Sequence, residues 1–284
     1  MITPTVTFLI LVFMLSMAAR KWELKTKHYL PWSIAMALAG FAFTYGAAEA
    51  FPAVPAALFG LAALVIAGVS SIAVIMFFFF RDPQRDPPAD RGVIVSPADG
   101  TVVYVKEIED GRFPFAVKNN NTIPLEEFSR ENLIPDRGIQ IGIAMNYLNV
   151  HVNRSPIAGV VKMLQPIPGK FLSLKHIHAL LENERTLMVF ENNNLKVGIV
   201  QIASRLVRRI VPYVEQGQTV EQGQRVGIIK FGSQVDLLIA YRADLKVQVN
   251  VGDELVAGES VVIICDPMPP TSSAENTSAE VVEA

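Results

Sequence analysis

Gly217-Gln218-Thr219-Val220-Glu221-Gln222-Gly223-Gln224-Arg225-Val226-Gly227-Ile228-Ile229 has a second copy in Gly252-Asp253-Glu254-Leu255-Val256-Ala257-Gly258-Glu259-Ser260-Val261-Val262-Ile263-Ile264. Both read glycine, polar, x, apolar, x, x, glycine, polar, x, valine, and then a short apolar strand. The glycines supply tight turns between short strands, which is the punctuation of a β-sandwich or barrel. The first copy runs directly into Lys230-Phe231-Gly232-Ser233-Gln234-Val235. A serine after an unhindered glycine, between two apolar runs, is an unusual place for a reactive hydroxyl. It is not the Gly-x-Ser-x-Gly elbow of hydrolases, because neither a second glycine nor a helix pattern follows. A Gly-Ser bond can instead be broken from within, by attack of the serine Oγ on the glycine carbonyl.

The glycine-punctuated pattern resembles biotinyl/lipoyl-like hybrid sandwiches, and Val95-Ser96-Pro97-Ala98-Asp99-Gly100-Thr101-Val102 looks like their opening strand. Other strands are read at 139–145, 159–165, 186–191, 196–203 and 209–214, from alternating or β-branched runs. Val150 and Val152 alternate with Asn149, His151 and Asn153, which turns His151 away from the apolar face of its own strand. Residues 110–138 are rich in Asn, Glu, Arg and Pro and read as a long surface loop. A short helix is expected over 174–182. The expected fold is N-terminal transmembrane helices followed by a mainly-β domain, a β-sandwich of the biotinyl/lipoyl-like hybrid kind with few short helices.

Composition places the chain at a membrane. It is 51% hydrophobic and 18% charged, with a net charge of −2. The apolar excess is local: between Lys27 and Arg81 the only charged residue, with His28 neutral, is Glu49. Runs at 5–19, 29–48 and 51–80 are uncharged or nearly so, and a span needs about 20 residues. The first is short and no basic residue precedes it, so it makes a poor secretory signal; two to three spans are expected. The loop Arg20-Lys21-Trp22-Glu23-Leu24-Lys25-Thr26-Lys27 is basic and predicts a cytoplasmic side, to which Arg81 returns the chain. These cations also favour anionic lipids. Pro83, Pro87 and Pro88 make a stiff linker. The expected organisation is a membrane anchor at 1–80, a linker at 81–91, a catalytic β domain at 92–266 and a disordered tail at 267–284. One cysteine, Cys265, excludes an intrachain disulfide. Near-neutral charge leaves no footprint for nucleic acid.

Few residues can do chemistry. The histidines are His28, His151, His176 and His178. A lone strand histidine is more often structural than a base, and Asp99 alone reads as a turn former. His176-Ile177-His178 lacks cysteine or acidic partners at ligand spacing, so no metal is expected.

Phe79-Phe80-Arg81-Asp82-Pro83, Ser96-Pro97-Ala98-Asp99-Gly100, Asn149-Val150-His151-Val152-Asn153-Arg154, Asn183-Glu184-Arg185 and Phe231-Gly232-Ser233 occur in this order. Together they resemble the bacterial membrane-bound phosphatidylserine decarboxylases, proenzymes that make their own pyruvoyl group. The resemblance runs from about Phe79 to Asp266. It implies that Ser233 is the self-cleavage serine and the future pyruvoyl, that Gly232 carries the scissile carbonyl, that His151 is the base, and that Asp99 orients and charge-stabilises His151. It implies a lyase that converts phosphatidylserine to phosphatidylethanolamine and CO2, with a covalent pyruvoyl group as its only cofactor. It also implies an inner-membrane location with the catalytic domain in the cytoplasm. The two cleavage products are expected to stay associated, and relatives suggest a homodimer.

One departure bears on the site. Some relatives carry two histidines three residues apart, whereas Leu148 and Arg154 flank His151 at that spacing here. That leaves the group that protonates the product open among His151, His176, His178 and water. The rival reading is a membrane-anchored lipoyl-like carrier module without catalysis, which would need an acceptor lysine at a hairpin tip. A serine hydrolase lacks its elbow, and a decarboxylase of a related serine lipid is the nearest neighbour.

Overall fold

The computed structural model describes residues 2–21, 26–90, 92–109, 112–114, 122–124, 137–172, 182–192, 195–204, 210–229 and 233–265. Three helices lead: α1 (Ile2–Lys21), α2 (Thr26–Ala50) and α3 (Ala56–Phe80). Their mean hydropathies are 2.1 over Ile2–Ala19, 1.2 over Tyr29–Ala50 and 2.6 over Ala56–Phe80, and each is long and apolar enough to cross a membrane. Large side chains such as Leu9, Phe13, Leu38, Leu61 and Val65 point outward and are more than half exposed. So much outward apolar surface suits lipid and not water. Small residues let the helices approach. A Cβ on Gly60 would press on Thr7 Oγ1, and Leu11, Ala37 and Ala67 form the buried contact. The first run, short in sequence, is thus a full-length helix. The third begins later than expected, because Pro52 and Pro55 hold 51–55 in a turn and Pro55 caps α3.

The rest is mainly β. The strands are β1 (Val93–Val95), β2 (Gly100–Ile108), β3 (Arg112–Pro114), β4 (Thr122–Pro124), β5 (Gly138–Met145), β6 (Val152–Arg154), β7 (Gly159–Ile167), β8 (Arg185–Asn192), β9 (Leu195–Ala203), β10 (Ile210–Pro212), β11 (Thr219–Val220), β12 (Arg225–Ile229), β13 (Ser233–Ala240), β14 (Leu245–Val247), β15 (Glu254–Leu255) and β16 (Val261–Cys265). Within 110–138, expected to be irregular, β3 and β4 pair as a small hairpin. Prolines at the ends of both strands and polar neighbours hid its pattern. The helix expected at 174–182 falls, except for Glu182, outside the described residues.

Eight strands form one antiparallel sheet in the order β11-β7-β8-β9-β13-β5-β2-β15. Two three-stranded sheets accompany it, β1-β16-β14 and β6-β12-β10. This is one unit used twice. β15-β2-β5-β13 mirrors β11-β7-β8-β9, and β1-β16-β14 mirrors β6-β12-β10. The hydrogen bonds repeat as well. Val102 N donates to Asp253 O at 2.9 Å, as Val161 N does to Gln218 O at 2.9 Å. Ser96 Oγ donates to Ala98 O and Ser155 Oγ to Ile157 O, both at 2.7 Å. The halves meet at the β9–β13 ladder. One core joins the layers: Ile141, Ile143, Ile199, Val235 and Leu237 of the long sheet pack with Ile94, Val226, Ile229, Val262 and Ile263 of the small ones.

The repeat glycines Gly217, Gly223, Gly252 and Gly258 have φ of +89°, +75°, +99° and +77°, a region costing other residues about 1–2 kcal/mol. Gly252→Ala meets open space, whereas a Cβ on Gly258 would sit 2.9 Å from Arg154 Cδ. In denaturant unfolding Gly252→Ala should therefore lose about 1–2 kcal/mol and Gly258→Ala clearly more.

Candidate active site

β13 begins at Ser233, and its backbone is fixed on both sides. Ser233 stands in register with Met145 of β5 and Ala203 of β9. Ala203 is itself pinned. Its carbonyl accepts from Asn183 Nδ2 at 2.8 Å, and its N–H donates to Glu184 O at 3.0 Å. The Asn183-Glu184-Arg185 motif thus acts at the strand beside Ser233, a role its sequence did not disclose. Phe231 and Gly232 lie outside the described residues.

His151 precedes β6 and is fully buried. Its backbone belongs to the same neighbourhood, since its carbonyl accepts from Ile229 N at 3.2 Å, four residues before Ser233. The sequence placed the side chain on a polar face; the structure corrects this. Val150 and Val152 do cover the apolar side with Ile228, but the opposite side is closed by Phe79, the penultimate residue of α3. The two rings lie 4.0 Å apart, tilted by 32°. His151 Nδ1 is 2.9 Å from Asn149 O. A carbonyl can only accept, so Nδ1 carries the hydrogen and Nε2 of the neutral ring keeps a free lone pair. Nε2 is buried and, among the described residues, has no hydrogen-bond partner. Burial pushes the imidazole pKa down to about 4, against the smaller opposing effect of the Asn149 carbonyl.

Asp99 sits in the turn between β1 and β2. Oδ1 accepts from Ala257 N at 2.8 Å and Oδ2 from Val150 N at 3.2 Å. Arg85 Nη2 reaches both oxygens at 3.2 Å. Asp99 therefore holds the backbone next to His151 and does not bond the imidazole. The linker is docked, not a free spacer. Arg81 Nη2 donates to Leu148 O at 3.2 Å. Arg154 Nη2 donates to Asp82 Oδ1 at 3.2 Å and to Pro83 O at 2.8 Å, and Arg225 also pairs with Asp82.

A second polar cluster was not visible in the sequence. Asp236 is fully buried and accepts from Tyr104 Oη at 2.6 Å, from Gln234 Nε2 at 2.7 Å and from Gln140 Nε2. Lys106 Nζ lies 4.5 Å from the Tyr104 ring centre. Burial raises the Asp236 carboxyl to about 6, with the three hydrogen bonds and Lys106 opposing. The signal was the acid at position 236 inside an apolar strand. His176, His178, Arg205, Arg208 and Arg209 fall outside the described residues. Among the described residues no group of three or more His, Cys, Asp or Glu could hold a metal.

Comparison with known proteins shows the family. Residues 72–263 match the family model described as phosphatidylserine decarboxylase. A phosphatidylserine decarboxylase proenzyme of Pelobacter propionicus is 36% identical over 208 residues, covering 73% of this chain and 82% of the relative. One of Erythrobacter litoralis is 40% identical over 198 residues, covering 67% and 73%. A protein of Methanothermobacter thermautotrophicus, described provisionally as an archaetidylserine decarboxylase proenzyme, is 38% identical over 212 residues, covering 74% and 89%.

His151 and Asp236 titrate in opposite senses. The lowered histidine contributes stability that is present above about pH 6.5 and lost as pH falls through about 4. The raised carboxyl contributes stability that is present below about 3.8 and lost as pH rises through about 6. Each is worth about 2–3 kcal/mol, and over this window they nearly cancel. In full-length Ser233→Ala protein, Asp236→Asn should lower the thermal midpoint progressively from pH 6.5 to 4, and His151→Gln should raise it. Parallel pH profiles would contradict both assignments.

Proposed function

The chain belongs to the phosphatidylserine decarboxylase family, and from that premise we propose that it is a self-cleaving, pyruvoyl-dependent enzyme whose scissile bond is Gly232–Ser233. The observation that carries this reading is the state of His151: neutral, buried, its Nδ1 hydrogen committed to Asn149 and its Nε2 without a partner among the described residues, in a segment bonded to Ile229 just upstream of Ser233. A serine nucleophile needs a base of this kind. The related carrier-module reading has no support, because the matching family is one of decarboxylases.

In the proposed sequence His151 Nε2 takes the Ser233 hydroxyl proton as Oγ attacks the Gly232 carbonyl. The C–N bond breaks, the amine of residue 233 is freed, and an ester replaces the amide. Removal of the α-proton of residue 233 expels the Gly232 carboxylate and leaves a dehydroalanine. Water then converts it to a ketone and ammonia. Asp99 orients His151 at a distance, by fixing Val150 and Ala257 so that the His151 loop cannot shift. The resulting pyruvoyl group supplies a carbonyl that takes up the lipid amine and draws electrons from the bond to its carboxylate. The two chains stay together because β13, on the small one, is laddered to β5 and β9 of the large one.

Relatives named for phosphatidylserine and for archaetidylserine point to recognition of the serine headgroup, with phosphatidylserine as the substrate and phosphatidylethanolamine and CO2 as products. The three apolar helices associate the enzyme with a membrane. The basic loop at 20–27 supports our reading that the catalytic domain, 92–266, faces the cytoplasmic side of the inner membrane among anionic lipids. We read the duplicated, glycine-punctuated halves as biotinyl/lipoyl-like sandwich units, and a homodimer is the assembly suggested by the family.

Full-length protein in mixed micelles with phosphatidylserine should release CO2. Ser233→Ala should abolish release. His151→Ala should slow self-cleavage by about 100-fold or more, the scale of general-base catalysis. Normal cleavage in His151→Ala would remove His151 as the base.

A further inference from the structure

The last turn of α3 divides its aromatic residues. Phe77 and Phe80 are 70% and 53% exposed, while Phe79 is completely buried. Ile75, one turn earlier on the same face, is buried too. The buried stripe of α3 ends at Phe79, whose ring lies against His151 of the β domain. The residues that follow hold this contact from three directions. Arg81 binds the Leu148 carbonyl, on one side of His151. Asp82 pairs with Arg154, on the other. Arg85 binds Asp99, which in turn holds Val150.

We propose that Phe79 is a positioning residue of the self-cleavage site, and that the site is competent only while the end of the third membrane helix is seated on His151. This rests on the reading of His151 as the base. A ring packed 4.0 Å from the imidazole, tilted by 32°, restricts its rotation and excludes water, so that Nε2 stays aimed and unsolvated. A hydrated imidazole would be freer to rotate and would regain its ordinary pKa. Among the described residues, the groups in contact with the His151 ring are the Asn149 carbonyl from its own loop and the Phe79 ring from α3. Among the described residues, the charged groups on the elements around it are Arg81, held on the Leu148 carbonyl, and the ion pairs Arg85–Asp99 and Arg154–Asp82. Phe79 is therefore the cover that keeps the base dry. Because Phe79 belongs to a membrane-spanning helix, placement of α3 in a bilayer and maturation of the enzyme become one event. A chain whose α3 is not seated would remain an uncut precursor.

The test is the first-order rate of self-cleavage of full-length chain, synthesised cell-free into phosphatidylcholine vesicles and followed by intact mass from pH 4 to 8. Phe79→Ala should cut about tenfold more slowly at pH 7 and move the acid limb of the profile up by about one pH unit or more, toward the ordinary histidine value. Phe79→Leu, which keeps the apolar cover but not the flat ring, should keep the wild-type acid limb and cut severalfold more slowly. An unchanged acid limb in Phe79→Ala would overturn the proposal. If that variant does not fold, a wild-type rate in Phe79→Leu overturns it. His151→Ala run in parallel separates the two claims: normal cleavage there removes the base, and with it the premise, whatever Phe79 does.

Discussion

β13 is hydrogen-bonded along both edges, to β5 over 233–240 and to β9 over 233–239. Everything proposed for this enzyme depends on that constraint. A chain that cuts itself must keep the new end where the cut was made. A bond at the mouth of a central strand meets this requirement, since scission removes one covalent link and leaves two ladders and a shared core. The polar cluster around Asp236 adds to the hold. Gln234 and Asp236 lie downstream of the proposed cut, while Tyr104 and Gln140 lie upstream, so their hydrogen bonds would join the two products. A buried, satisfied network of this kind specifies one register and resists sliding.

The scaffold is duplicated, and the chemistry lies where the copies differ. Ser96-Pro97-Ala98-Asp99-Gly100 corresponds to Ser155-Pro156-Ile157-Ala158-Gly159, with the same turn hydrogen bonds. Only the first copy has a carboxylate, and it is buried beneath Arg85 and two backbone N–H groups. Its counterpart, Ala158, is exposed. The linker from the membrane docks on the first copy's carboxylate and on the second copy's Arg154, bridging the seam between halves.

Much of this was legible in sequence. Strand periodicity located the long strands, and the glycine repeat announced tight turns that positive φ angles bear out. Order of motifs pointed to the family. What sequence could not give were relations between distant segments. The duplication was read only at 217–229 and 252–264, because the other two corresponding stretches share Ser-Pro and Gly and little more. His151 was read on a polar strand face because the cover over it comes from the third apolar helix, 72 residues earlier in the chain (151 − 79). Asp99 was expected to orient and charge-stabilise His151, and which groups its oxygens bind, Val150, Ala257 and Arg85, could not be read from the sequence. Local pattern predicts which face of a strand is polar; it cannot say what closes that face.

The central claim is that Gly232–Ser233 is cut and residue 233 becomes a ketone. Intact mass of the natively purified full-length protein tests it most directly. Two species are predicted, 1–232 and 233–284, the smaller one lighter by one ammonia than a peptide that begins with serine, and reactive toward hydrazides. A single uncut chain, or a small chain beginning with unmodified Ser233, would contradict the account.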